Sequence, residues 1–246
     1  MNKQHSEWFG HDHVGANTRR DKVRGVFESV AQNYDLMNDI MSIGLHRRWK
    51  RQLIRALRPS PSRVLLDVAG GTGDISIGYA RAGGPAILLD PNPAMLDRAR
   101  QRIIDGGHYQ NIRLVCGDGE SLPLARHRVD LYAISFGLRN ITDIPAALAE
   151  ARRVLRPGGR FFCLEFTTPK SPFLRRTYHT YRRILLPALG RIIARDQESY
   201  RYLAQSIDRF MTMDQLRDAM CDAGFTRINY RPLSQGLLAL HCGHAP

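Results

Sequence analysis

Lysine is scarce in this chain. Of 36 basic residues in 246 only four are lysine (Lys3, Lys22, Lys50 and Lys170), and the rest are arginine. Set against 23 acidic residues, this leaves a net charge of +13. Such a surplus suits nucleic acid, an anionic membrane surface or an acidic partner, and by itself selects none of them. Long apolar runs are missing as well. Val64–Val68 and Phe161–Phe166 are the most apolar stretches, far short of the roughly 18–20 residues of a membrane span. Cysteine is sparse: Cys116, Cys163, Cys221 and Cys242 stand far apart with no C-x-x-C pair. That argues against a zinc site or a disulfide framework and for reduced, mostly buried thiols. The nine histidines form no H-E-x-x-H spacing, so no metal is expected. The first twenty residues are polar, His-rich and without an apolar signal core. The expected compartment is the cytoplasm.

What is present is enough apolar material for one packed core, with 43% hydrophobic and 24% charged residues. Residues 1–20 read as a flexible tail and 21–246 as a single domain. Val23, Val26, Phe27, Val30 and Ala31 recur at helical spacing, and a basic helix over Leu45–Leu57 is stopped by Pro59 and Pro61. The rhythm then changes. Val64–Val68 is a continuous apolar run, as a strand buried on both faces requires. Gly70-Gly71-Thr72-Gly73 breaks it and a helix follows to Ala82. Further strands are predicted over Ala86–Leu89, Ile112–Cys116, Val129–Ser135 and Arg160–Phe166, with helices near 93–104 and 143–155. Residues 167–210 interrupt the alternation and read as a helical insertion. Thr212-x-x-Gln215 predicts a capping box for a helix ending at Gly224. Strands over Phe225–Tyr230 and Leu237–Cys242 close the chain. The alternation predicts an α/β doubly wound, mostly parallel sheet of seven strands.

Ligands of open α/β sheets sit beyond the carboxyl ends of the strands. There the chain places Gly70–Asp74, Asp90, Asp118-Gly119 and Ser135-Phe136-Gly137. The set is glycine-rich and acidic on a strongly basic protein. A nicotinamide dinucleotide would want G-x-G-x-x-G, but Gly71 and Gly73 are followed by Ser76, and Asp74 would repel a pyrophosphate. The Gly-Lys-Ser/Thr of a P-loop is absent. A cationic ligand with a ribose fits better, and S-adenosylmethionine is one. Asp90 is then placed for the ribose hydroxyls and Asp118 for the adenine amino group.

These stretches together resemble a class I S-adenosylmethionine-dependent methyltransferase of Rossmann-like fold, and more closely the UbiE/MenG family of quinone C-methyltransferases. The resemblance runs from Val26 to Leu240. It is carried by Phe27–Trp49, Asp67–Asp74 (DVAGGTGD), Ser135–Asn140 (SFGLRN), Arg156–Phe166 and Ser199–Ile207 (SYRYLAQSI). Ala69 departs from the general methyltransferase loop, where glycine is common, and Phe210-Met211 stands where Phe-Pro is expected. The resemblance implies methyl transfer to a ring carbon of a polyprenylated benzoquinol (2-polyprenyl-6-methoxy-1,4-benzoquinol), or of demethylmenaquinol. It implies cofactor binding by Gly70, Gly71, Thr72, Gly73, Asp90, Asp118, Gly119 and Ser135.

A ring carbon becomes nucleophilic when a neighbouring hydroxyl loses its proton. Arg139, just past the fourth strand, is the candidate stabiliser of the resulting phenolate, with Asn140 orienting it; as a guanidinium Arg139 cannot serve as an ordinary base. Residues 21–58 are expected to fold over the cofactor as a helical lid, with Tyr34 covering it and Asp35 and Asn38 nearby. His46 reads as a helix-surface histidine rather than a proton acceptor. Residues 173–195 interleave arginines with Leu and Ile in a pattern able to lie in a lipid interface. Expected partners are the quinol, the inner face of a membrane or a quinone-biosynthesis complex, and a second copy in a homodimer, with no nucleic acid. Competing readings are an RNA methyltransferase, disfavoured by the lack of Asn-Pro-Pro-Tyr after strand four, and a non-catalytic cofactor-binding scaffold subunit.

Overall fold

The computed structural model describes residues 8–9, 12–30, 38–39, 42, 44–169, 176 and 197–246. Tyr34, Asp35 and all but Arg176 of the Arg-rich stretch 173–195 lie outside the described residues. The described chain begins with a small antiparallel hairpin, β1 (Trp8–Phe9) and β2 (Asp12–His13). Helix α1 (Ala16–Val30) follows. The flexible tail expected over residues 1–20 is therefore corrected in part: helix is already present at Ala16, and Arg19 is only 3% exposed.

Helix α2 (His46–Leu57) buries His46, Trp49, Lys50, Leu53 and Leu57 along one stripe and turns its arginines outward. From there strand and helix alternate: β3 (Leu65–Val68), α3 (Asp74–Arg81), β4 (Ala86–Asp90), α4 (Pro93–Asp105), β5 (Ile112–Cys116), β6 (Val129–Ser135), α5 (Ile144–Val154) and β7 (Leu155–Phe166). Asn92 starts α4 by accepting from the amides of Ala94 and Met95, with Pro93 at the first helical position. Helix α6 (Gln197–Asp208) is the described part of the insertion. Helix α7 (Met213–Asp222) carries the predicted capping box between Thr212 and Gln215. Strands β8 (Thr226–Leu233) and β9 (Leu238–His244) end the fold.

The seven-stranded sheet has the order β5-β4-β3-β6-β7-β9-β8. The first five strands are parallel and β9 runs antiparallel to both neighbours. Side chains alternate across it, as a pleat demands. Leu65, Leu88, Leu131, Phe162 and Leu164 face α2, α3 and α4. Leu66, Leu89, Tyr132, Ile134 and Phe161 face α5 and α7. One strand differs from expectation in its start. β7 begins at Leu155 rather than Arg160, because Leu155 pairs with Val129 across a register shift and the Pro157-Gly158-Gly159 bend, with Gly158 at φ 76, is carried inside the strand.

Candidate functional site

The chain leaves β3 toward β4 and β5, then returns to β6 on the other side of β3. Such a reversal opens a crevice at the carboxyl ends of the two strands. A cavity of about 340 Å³ fills it, within the usual range for small ligands. Val68, Ala69 and Gly71 form one wall, Asp90 and Asn92 the next, then Asp118, Gly119, Phe136 and Gly137, while Val23 and Phe27 of α1 close the side.

Between β3 and α3 the backbone must reverse sharply. Ala69, Gly71 and Gly73 take φ of 52, 56 and 89. Gly70 is needed for a different reason: a Cβ there would lie 2.8 Å from Leu88 Cγ. The loop is tied to β4 by Gly70 N donating to Leu89 O at 3.1 Å and Gly71 N donating to Asp90 Oδ2 at 2.9 Å. Asp90 Oδ1 accepts from Asn92 N at 2.9 Å. Asp90 thus holds the loop and Asn92, not Asp90, caps α4. Burial pushes the Asp90 carboxyl up to about 6, against the pull of the Asn92 and Gly71 amides. Each of its oxygens keeps a lone pair for a ligand hydroxyl. Asp118 also lines the cavity, and its Oδ1 accepts from Glu120 N at 2.9 Å. A Cβ on Gly119 would stand 3.1 Å from Val68 Cγ1, so the loop after β5 lies tight against β3.

Asp67 was not among the expected site residues: in the sequence it falls inside the apolar run Val64–Val68 and opens the DVAGGTGD stretch. It is 1% exposed, and its Oδ2 accepts from Ser76 N at 3.0 Å and Ser76 Oγ at 2.7 Å. Burial raises its pKa to about 7 in spite of those bonds. Its Oδ1 and the hydroxyl of Ser135 are buried without a hydrogen-bond partner among the described residues. Both residues line one small cavity beneath the glycine loop. Buried polar atoms seldom stay unpaired, and a carboxylate beside a hydroxyl suits a cationic donor such as an ammonium.

Two expected contacts are engaged elsewhere. Thr72 Oγ1 accepts from Arg102 Nη1 at 2.7 Å, and the same nitrogen bonds Thr72 O at 2.9 Å. Arg102 Nη2 reaches Asp74 Oδ1 and Lys50 Nζ reaches Asp74 Oδ2, each at 2.7 Å. Burial alone would raise the Asp74 carboxyl, but the Lys50 and Arg102 charges and hydrogen bonds outweigh it and hold the group far below the usual carboxylate range. The charge of Asp74, read in the sequence as a repulsion toward phosphate, is therefore neutralised in a clamp on the outside of the loop.

Arg139 is 5% exposed and sits in the 3-10 turn Leu138–Asn140. Its Nη1 donates to Phe136 O at 2.6 Å and to Glu165 Oε1 at 2.8 Å, and its Nε to Ser206 Oγ at 3.3 Å. Nη2 has no hydrogen-bond partner among the described residues. The guanidinium thus lies in an ion pair behind Phe136 rather than on the cavity wall, while Asn140 is on the wall. Asn140 does not bond the Arg139 side chain. Its Nδ2 donates to Phe136 O at 3.4 Å and its Oδ1 accepts from Tyr202 OH at 3.1 Å. Arg19 grips the same turn, donating to the carbonyls of Arg139 and Asn140 at 3.1 and 3.2 Å and to Thr142 Oγ1 at 3.0 Å. Sequence reasoning missed Arg19, Tyr202, Ser206 and Glu165. The i, i+4 spacing of Tyr202 and Ser206 was the available signal that one face of α6 serves this turn. Phe136 (φ 60) begins an aromatic wall, with Phe166 at 5.1 Å and Trp49 at 6.3 Å between ring centres. His46 is buried rather than on the surface, 3.0 Å from Ser42 Oγ through Nδ1, and burial and then Lys50 lower its pKa.

The sequence profile of the ubiE/COQ5 methyltransferase family matches residues 15–245. The chain is 48% identical over 236 residues to the ubiquinone/menaquinone biosynthesis C-methyltransferase UbiE of Acidiphilium cryptum (strain JF-5), a match covering 96% of this chain and 95% of that protein. It is 40% identical over 272 residues to the mitochondrial 2-methoxy-6-polyprenyl-1,4-benzoquinol methylase of Xenopus laevis, covering 96% and 88%. Among solved structures, a SAM-dependent methyltransferase from Thermotoga maritima, described as a possible histamine N-methyltransferase, superposes with a TM-score of 0.65 at 18% identity, over 91% of this chain and 100% of that one. That likeness is one of fold.

Proposed function

The chain belongs to the ubiE/COQ5 methyltransferase family, and we propose that it methylates a ring carbon of a polyprenylated benzoquinol, with demethylmenaquinol as the related acceptor. The observation that carries the reading is a cavity walled by the buried carboxylate of Asp90 and bounded by the aromatic face of Phe136. S-adenosylmethionine fits these residues: nothing on the glycine loop is arranged for phosphate, and the unpartnered Asp67 Oδ1 and Ser135 Oγ suit its ammonium. When bound it supplies an electrophilic methyl group on a sulfonium.

The protein's own residues do the rest. Asp90 accepts from the ribose hydroxyls, the Asp118–Gly119 loop meets the adenine edge, and Gly70, Gly71 and Gly73 let the backbone approach. Phe136 and Phe166 present an oily face to the quinol ring and exclude water. The guanidinium of Arg139 offers donors and no acceptor, so it cannot take the quinol proton. Held behind Phe136 and paired with Glu165, it stabilises the phenolate through space rather than by contact. Asn140, held by Tyr202, lines the acceptor side. Arg139→Lys should lower turnover while leaving calorimetric affinity for the donor within a few-fold. Equal loss of both would overturn the role of Arg139.

Family membership and the absence of an Asn-Pro-Pro-Tyr sequence after β6 support the quinol over an RNA acceptor. No helix among the described residues is long and apolar enough to cross a membrane. A polyprenyl tail lives in the bilayer, so the enzyme meets its acceptor at a membrane surface or through a membrane-bound partner. The decisive experiment is a turnover assay with a short-chain quinol analogue, joined to a quinone profile of cells lacking the protein. Accumulation of one demethylated quinone supports the reading. A normal profile, with labelled methyl entering RNA, overturns it.

A further inference from the structure

On the α2 side of the sheet, α2 packs against β7 and, among the described residues, the strip of β9 and β8 beyond it faces no further helix. The result is a trough of about 840 Å³, well away from the cavity at the strand ends. Arg48, Arg51 and Arg55 form one bank at i, i+3 and i+7 on α2, and Arg58 extends the row past the helix end. At about 1.5 Å of rise per residue the row spans about 15 Å. Arg160 and Arg231 stand on the opposite, sheet bank. None of these six guanidiniums makes an ion pair among the described residues. Arg47 and Arg156 close by do, with Asp39 at 2.6 Å and Asp130 at 2.8 Å. Among the described residues no carboxylate lines the trough, and its floor is Phe162, Leu240 and the thiol of Cys242. Arg160 lies 5.1 Å above the Phe162 ring.

Arginines with no ion pair among the described residues, of which Arg231 bonds the Gln52 amide oxygen of α2 at 3.1 Å, stand on facing banks over an apolar floor, and this is complementary to an object with carboxylates on its flanks and an apolar ridge beneath. We infer that this trough docks an acidic amphipathic helix of a protein partner. The spacing favours a helix: carboxylates at i, i+3 and i+7 recur every 4.5–6 Å or so along an axis, as the arginines do. The concavity favours it too. A helix of about 10 Å diameter can seat beside α2 on the sheet, completing the helical layer that α7 provides on the other face, whereas a bilayer surface has no ridge to reach Phe162. Guanidinium–carboxylate pairs, frequently bidentate, would set the register.

The test uses the full chain and a labelled synthetic helical peptide bearing Glu at i, i+3, i+7 and i+10 beside a Leu face. A peptide of identical composition with scrambled spacing is the control. The matched peptide should bind at least about tenfold tighter than the scrambled one, a gap of about 1.4 kcal/mol. Both R51E/R55E and the milder R51Q/R55Q should remove that preference. The matched peptide should also slow maleimide labelling of Cys242, while the exposed Cys116 and Cys221 react unchanged. Turnover should be unaffected in both variants. Equal binding of the two peptides, or no protection of Cys242, would overturn the inference. So would binding to phosphatidylglycerol vesicles or to tRNA, or self-association, that these variants abolish while the matched peptide fails to bind.

Discussion

Asp90→Asn separates the affinity of the site from the stability of the fold. In the native site both carboxylate oxygens already accept a backbone N–H, from Gly71 and Asn92. An amide supplies one acceptor and turns an N–H₂ toward the other donor. Losing one such bond in a buried loop costs about 1–3 kcal/mol. The ionised group is itself uncomfortable there, since burial raises it from 3.8 to about 6. At neutral pH that discomfort amounts to about 3 kcal/mol, and the neutral amide is relieved of it. The two effects are of similar size and opposite sign, so the donor-free variant should unfold in urea at nearly the wild-type midpoint. Donor binding should behave differently. The bonds that Asp90 is proposed to accept from the two ribose hydroxyls would be lost or weakened, at about 1.5–3 kcal/mol each. Calorimetry with S-adenosylmethionine should therefore show affinity reduced by roughly 10²–10⁴. The pH dependence follows from the same shift. A raised carboxyl takes up its proton as pH falls through about 6 in the free protein, which makes the free fold more stable below that pH. The donor prefers the carboxylate, so affinity is full above about pH 6 and declines beneath it. The variant should lack that decline. Affinity within threefold of wild type, or an unchanged decline below pH 6, would refute the assignment of Asp90.

Three other perturbations address the surrounding structure. Lys50→Met and Arg102→Met each leave Asp74 one cation, so each should cost about 1–2 kcal/mol in urea unfolding. The double variant strands a largely buried carboxylate and should cost more than the sum, by analogy with broken buried pairs at about 3–5 kcal/mol. Adding Asp74→Asn should recover most of the loss, and acidification of wild type should erode this contribution progressively as pH falls below about 4, where the unfolded carboxyl takes up its proton while the depressed folded group stays ionised. Ala69 holds φ 52, so Ala69→Gly should change stability by less than about 1 kcal/mol, relief of left-handed strain opposing the freer unfolded chain. Ala69→Val should lower it by about 1–3 kcal/mol, since Gly137 is so close that a Cβ there would sit 2.6 Å from the Ala69 Cβ. Arg19→Met removes the donors of three hydrogen bonds to the 138–142 segment; α1 should become sensitive to limited proteolysis and turnover should fall, while donor affinity changes little.

The strands were legible because a parallel strand covered on both faces must be apolar almost throughout, and Val64–Val68 and Phe161–Phe166 are, each with a single carboxylate, Asp67 and Glu165. The donor half of the site was legible for a related reason. Glycines and acids cluster within a few residues of each strand end, where topology alone places a ligand. Asp67 escaped notice because nothing local distinguishes a carboxylate buried for chemistry from a lapse in a strand; its meaning lies in the unpaired Oδ1 beside Ser135. Thr72 was given to the cofactor by the family resemblance, whereas Arg102, thirty residues on, donates to its hydroxyl. The helix at Ala16 was hidden by the polar, glycine-bearing start of the chain, and Arg19 is buried only because the 138–142 segment offers it acceptors 120 residues away.

The two halves of the site are therefore built on different physical terms. The donor side is set by short loops bonded to neighbouring strands, as Gly71 is to Asp90, and stands once β3, β4 and β5 have paired. The acceptor side converges on Leu138–Asn140, which is held by Arg19 from α1, Glu165 from β7, and Tyr202 and Ser206 from α6. Those four anchors come from three segments remote in sequence, so their ordering entropy must be met by contacts that exist only in the assembled fold. Ser29 Oγ and Ser199 Oγ, 3.0 Å apart, join α1 directly to α6. Loosening either helix thus loosens the turn that carries Arg139 and Asn140 while leaving Asp90 in place. A protein arranged in this way can hold its donor while the acceptor side opens, as an oily substrate entering from outside the sheet would require.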